Sequence, residues 1–193
     1  MKRWMGGLMM ALALAGCQTT TKVAAPENVR PELAAVMNYE FGQSRESLTV
    51  FQDMVVAAAN GPDGGAALAD ELAALLETNA TLAAKDFVCR QLAVIGTAAE
   101  ADDLAALLHD EATAEMARYA LQAIPGEAVN LELAKALGAN LPDRTKIGIV
   151  NTLGVRKAAS TAGGLEQISH DHHGDALGDA AKAALAGMAP AAP

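Results

Sequence analysis

Aromatic side chains are scarce in this 193-residue chain, at 3% with one Trp, two Tyr and three Phe. Sheets favour aromatic and β-branched residues, whereas the abundant Ala and Leu are strong helix formers, so the expected fold is all-α. Cysteine is limited to Cys17 and Cys89, which excludes a disulfide framework. Cations are the minority charge, with 14 Lys+Arg against 23 Asp+Glu for a formal net charge of −9. A protein that grips phosphate backbones needs clustered cations, so nucleic acid is excluded as a partner. The apolar run from Trp4 to Ala15 is too short for a bilayer, which takes about 20 residues in a helix.

Lys2 and Arg3 precede that run, the order of a secretory signal. It closes in Leu14-Ala15-Gly16-Cys17, which resembles the lipobox of bacterial lipoproteins. The resemblance implies that residues 1–16 are a cleaved signal peptide and that Cys17 is diacylated and then acylated again at its freed amine. Gln18 follows, where aspartate would favour inner-membrane retention, so the implied location is the periplasmic side of the outer membrane. Losing residues 1–16 removes two cations and no acid, leaving 177 residues with 12 Lys+Arg against 23 Asp+Glu, or −11. An anionic surface gains nothing from anionic lipid headgroups, so the acyl chains must hold the membrane. With Cys17 lipidated, Cys89 has no intramolecular partner. Residues 17–31, threonine-rich and carrying Pro26 and Pro31, read as a flexible spacer; Gln18 to Arg30 alone extends roughly 40 Å at about 3.3 Å per residue.

From Glu32 the apolar positions Leu33, Val36, Met37 and Tyr39 to Phe41, then Leu48, Phe51 and Val55, recur at helical spacing. They predict a helical cap over 32–60, broken near Gly42 and ended by Asn60-Gly61-Pro62-Asp63-Gly64-Gly65. The chain then repeats every 29 residues. Ile95-Gly96, Ile124-Pro125 and Leu153-Gly154 each close a helical segment; Leu92, Leu121 and Val150 share the interval, as do Leu75, Leu104 and Leu133, and Leu108 and Leu137. Each unit reads as a helix pair, over about 65–96, 97–125, 126–154 and 155–188. The last carries Leu165 and Ile168 on its first helix and Leu185-Ala186-Gly187 at its close, after a short insertion. A lone pair cannot bury its apolar face, so the copies are expected to stack into a short α-solenoid. The tail 189–193 is expected to be disordered.

The unit resembles the short HEAT-like repeats named after phycobilisome lyases. The segments Tyr39-Glu40-Phe41-Gly42-Gln43-Ser44-Arg45, Val88-Cys89-Arg90-Gln91-Leu92, Met116-Ala117-Arg118-Tyr119-Ala120-Leu121 and Gly148-Ile149-Val150-Asn151-Thr152-Leu153-Gly154-Val155-Arg156 resemble bacterial envelope HEAT-repeat proteins. The resemblance spans residues 33–188 and implies that the second helix of each pair lines a concave face. It carries over no catalytic residue.

Two sets of residues stand out as candidate sites. Ser169-His170-Asp171-His172-His173-Gly174-Asp175 offers imidazoles and carboxylates for zinc, nickel or copper through His170, His172 and His173. It also suits a solvated turn, in which Asp171 or Asp175 caps the next helix. His109 belongs to another unit. Arg90, Arg118, Tyr119, Lys146, Asn151 and Arg156 lie on or just after second helices, without one strict register, since Arg90 aligns with Tyr119 but Arg118 with Cys89 and Ile147. These residues can grip a peptide or an acidic partner segment, or pair internally with Asp86, Glu115 or Asp143. Cys89, between Val88 and Leu92, reads as a packed thiol. Asp102-Asp103 and Glu111 read as helix caps. No phosphate loop or nucleophile turn is present, and no cofactor is implied. The expected function is a non-enzymatic, membrane-tethered scaffold for a protein or peptide partner. Metal binding through the histidines is the alternative.

Overall fold

The computed structural model describes residues 30–189. The signal-like segment, Cys17 and most of the spacer lie outside the described residues, as do residues 190–193. Ten α-helices and no strands are present among the described residues: α1 (Pro31–Met37), α2 (Glu46–Ala59), α3 (Ala66–Leu76), α4 (Leu82–Ile95), α5 (Ala101–Ala106), α6 (Ala114–Ala123), α7 (Glu127–Leu137), α8 (Asp143–Val155), α9 (Ala162–Asp171) and α10 (Ala176–Met188). Short 3-10 turns flank α5 and precede α9. The protein is therefore all-α. No described helix is long and apolar enough to cross a membrane.

Local chemistry starts and stops these helices. Pro31 opens α1, where its missing N–H costs nothing. The Thr81 hydroxyl accepts from Ala84 N at 3.0 Å to cap α4, and the same hydroxyl donates to the Tyr39 carbonyl. Asp175 caps α10 by accepting from Leu177 N at 2.9 Å and Gly178 N at 3.0 Å. Thr97 and Glu100 form a capping box on the turn before α5. Two helix ends depart from the sequence reading. α1 stops at Met37, so Phe41 stands in the connector, 71% exposed, before Gly42 at φ 92°. Gly154 does not end α8, which runs on to Val155. Its role is close approach, since a Cβ there would lie 2.9 Å from the Cβ of Ala184 on α10.

Tertiary packing follows an alternating order. Each of α2, α4, α6 and α8 packs on the next even helix, and α3, α5 and α7 pack in the same succession. α7 then meets the 3-10 turn that precedes α9, while α9 rests on α10. The 29-residue interval falls on the seams between these elements: Leu92, Leu121 and Val150, Ile95, Ile124 and Leu153, and Leu75, Leu104 and Leu133 are all buried. Each such side chain contributes about 1.5–3 kcal/mol on leaving water. Phe51 and Phe87 meet edge to face at 6.1 Å between centroids and join the cap to this core.

Gly178 sits in the first turn of α10, where a Cβ would lie 2.1 Å from the His172 carbonyl oxygen. Gly178→Ala is expected to destabilise the protein by about 2–3 kcal/mol, read as a lower midpoint in urea denaturation.

Candidate functional site

The second helices α4, α6 and α8 carry the polar set singled out in the sequence, and the fold divides that set by partner. Arg90 bonds the Asp86 carboxylate one turn back at 2.9 and 3.2 Å. Its guanidinium carbon also lies 5.4 Å from the ring centroid of Tyr119 on α6. A cation over a ring face within about 6 Å is attractive, so this contact joins α4 to α6. Tyr119 remains 51% exposed.

Arg118 reaches in the other direction. It binds Glu115 on its own helix at 2.7 Å and donates to Thr152 Oγ1 on α8 at 3.0 Å. The bond from Arg118 holds the Glu115 carboxyl below its ordinary pKa, and Arg144 lowers it further. Gly148 makes room for this crossing, because a Cβ there would lie 3.0 Å from Arg118 Cδ.

Arg156 is turned inward. Just past α8, it donates to the carbonyls of Leu121 at 2.8 Å, Gln122 at 3.1 Å and Gly126 at 3.0 Å, and also to Ile124 O. These are the free acceptors at the end of α6 and the turn after it. Its Nε donates to Asn130 Oδ1 at 2.6 Å, Asn130 in turn donates to Glu127 at 2.9 Å, and Ser160 donates to Glu127. Burial lowers the pKa of this guanidinium from its usual value, opposed by Glu127. The bonds from Ser160 and Asn130 hold the Glu127 carboxyl low. This network joins four elements, and neither Asn130 nor Glu127 stood out in the sequence. The signal was a buried Asn on a helix stripe otherwise built from Val129, Leu133 and Ala136.

Lys146 and Asn151 meet none of these groups. Lys146 is half-buried in the first turns of α8 and enters no ion pair among the described residues. Asn151 lines a groove of about 390 Å³ between α8 and α10, together with Gly154, Val155, Ala183, Ala184 and Gly187. The small residues that form this groove are its only trace in the sequence. A second groove, of about 310 Å³, lies between α5 and α7 with Asp102 on one wall and Glu132 and Lys135 on the other. Lys135 pairs with Glu132 at 3.0 Å. Burial raises the Asp103 carboxyl, helped by Asp102, Glu77 and Glu100.

The histidines do not converge. His170 ends α9 beside Asp171 at 3.2 Å, His172 bonds Asp175 at 2.9 Å, and His173 stands exposed in the turn. No three His, Cys, Asp or Glu side chains among the described residues are placed to hold a metal ion. The physical reason is that His170 is still on α9 while His172 and His173 lie in the turn beyond it, and the two nearest carboxylates are divided, Asp171 beside His170 and Asp175 beside His172, where it also caps α10. The bonds from Gly178 N and His172 hold the Asp175 carboxyl below the ordinary range.

Cys89 is fully buried, and burial pushes its thiol up to about 12. At neutral pH its thiolate is about 1,000-fold scarcer than for an ordinary thiol, so native protein should resist iodoacetamide and label rapidly only when unfolded. Arg156→Ala should cost about 2–3 kcal/mol in urea denaturation, since it strands several carbonyls and Asn130. Arg156→Lys should recover little of it, because a point-like ammonium cannot fan out over those acceptors.

Comparison with protein families, with curated proteins and with solved structures finds no match to this chain.

Proposed function

We propose that this protein is a non-enzymatic interaction scaffold, a short α-solenoid of HEAT-like helix pairs tethered by an acylated Cys17 to the periplasmic side of a bacterial outer membrane. On this reading the spacer gives reach and the second helices present their exposed side to a protein or peptide partner. The observation that carries it is the succession of even helices, each packed on the next through buried residues 29 apart. An array of this kind offers a broad, continuous surface, the usual asset of stacked repeats. That surface is studded with apolar and aromatic groups: Val56 on α2, Val94 on α4, Tyr119 on α6 and Val155 on α8 are each more than half exposed. Aromatic and arginine side chains such as Tyr119 and Arg90 are common anchors of protein interfaces.

Two measurements test the reading. Cys17→Ser should move the protein from the membrane fraction to the soluble fraction; retention on the membrane refutes the anchor. A photo-crosslinking residue at Val94, Tyr119 or Val155 should capture other envelope proteins far more often than one at Asp70 or Leu131 on the first helices. Equal yields from the two sides, or none from either, overturn the scaffold.

A further inference from the structure

A groove of about 320 Å³ lies between α1 and α2, lined by Glu32 and Ala35 on α1 and by Glu46, Ser47 and Val50 on α2. Val50 is 52% exposed and Ala35 is exposed as well, so the lining combines aliphatic surface with two carboxylates. Both acids stand in the first turn of their helix, where the dipole favours them. Neither Glu32 nor Glu46 enters an ion pair among the described residues. Contact between the two helices and the core falls to other residues, Leu33, Val36, Leu48 and Phe51, which are buried. A fitting occupant therefore carries a cation next to small aliphatic side chains.

The chain just ahead of the described residues supplies that chemistry. Between Cys17 and Arg30 the sole cation is Lys22, and Val23-Ala24-Ala25 follows it directly. The point where this segment joins the fold is fixed, because the Arg30 guanidinium bonds the Glu71 carboxylate on α3 at 2.6 and 2.5 Å and Pro31 then opens α1. The segment thus meets the fold at the head of the helix that forms one wall of the groove. Lys22 lies eight residues before Arg30, a reach of up to about 26 Å, whereas the seven residues of α1 span only about 10 Å. The slack allows a reversal, and Pro26 and Asn28 are turn formers. We propose that Lys22 to Ala25 folds back into the α1–α2 groove, its ammonium toward Glu32 and Glu46 and its aliphatic side chains against Ala35 and Val50. A short covalent link gives an effective concentration of about millimolar, so a weak contact suffices here where a free partner of the same chemistry would need a strong one. Seated in this way, the segment shortens the free tether between an anchored Cys17 and the fold to Gln18–Thr21, roughly 13 Å instead of roughly 40 Å. The docking itself needs neither the acyl group nor a scaffold role.

Disulfide trapping in the full chain tests this. Ala24→Cys is combined with Val50→Cys, the protein is oxidised with diamide, and the bond is mapped by mass spectrometry, which separates it from any bond to Cys17 or Cys89. A rapid crosslink within one chain is expected. With Val56→Cys in place of Val50→Cys, at a similarly exposed site on the same helix, it should form about ten-fold more slowly. Lys22→Glu added to the Ala24 and Val50 pair should slow the crosslink roughly five-fold, and Lys22→Arg should preserve it. Equal rates at the two α2 sites, or no effect of Lys22→Glu, overturn the proposal. A bond between two chains also overturns it and gives the groove to a second copy. The readout is the same with or without an acyl group on Cys17, so loss of the anchor, read by membrane fractionation, is a separate result.

Discussion

Everything in this protein depends on the packing of one even helix against the next. A single helix pair cannot cover its own apolar face, so α3 with α4 relies on the helices beside it. The seam residues Leu92, Leu121 and Val150 are buried only because a neighbouring helix covers them. The alanines serve the same end. Ala84, Ala117, Ala120 and Ala181 are fully buried, and their small side chains let helices approach closely without bulky aromatics to fill the space. The poverty in aromatic residues is therefore matched by the closeness of the packing.

Polar side chains supplement that packing at particular joints. Arg90 meets Tyr119 from α4 to α6, Arg118 meets Thr152 from α6 to α8, and Arg156 returns from α8 to the end of α6. Carbonyls left without donors at the end of α6 would weaken it, and one guanidinium serves Leu121 and Gln122 there and Ile124 and Gly126 just beyond. The ion pairs within a helix, Asp86 with Arg90 and Glu115 with Arg118, act mainly by orienting those guanidinium groups. As exposed pairs they add little on their own.

The helical class and the buried register were legible because both arise from local composition and from an interval that repeats. Leu75, Leu104 and Leu133 mark the buried side of α3, α5 and α7 without any knowledge of the neighbours. What the sequence hid was the partner of each polar group. Arg118 and Arg156 look alike as cations on helices, yet one crosses over Gly148 and the other folds under α6, a difference set by which backbone atoms lie within reach. Gly154 misled in the same way. Glycine near a helix end suggests a stop, and only the nearness of Ala184 reveals a contact instead. The groove between α8 and α10 was invisible for this reason, since it is formed by residues that are small rather than distinctive.

One asymmetry lies at the end of the stack. α9 buries only Leu165, and a cleft of about 260 Å³ lined by Leu137, Leu153 and Ile168 lies between it and α7. α10, by contrast, is locked to α8 at Gly154 and buries Leu177, Gly178, Ala181 and Ala184. α9 thus contributes fewer buried side chains than α10, although Ile168 also packs against the core and the helix lies along α10. The last helix pair is therefore uneven: α10 carries the burial against α8, and α9 is held mainly through α10.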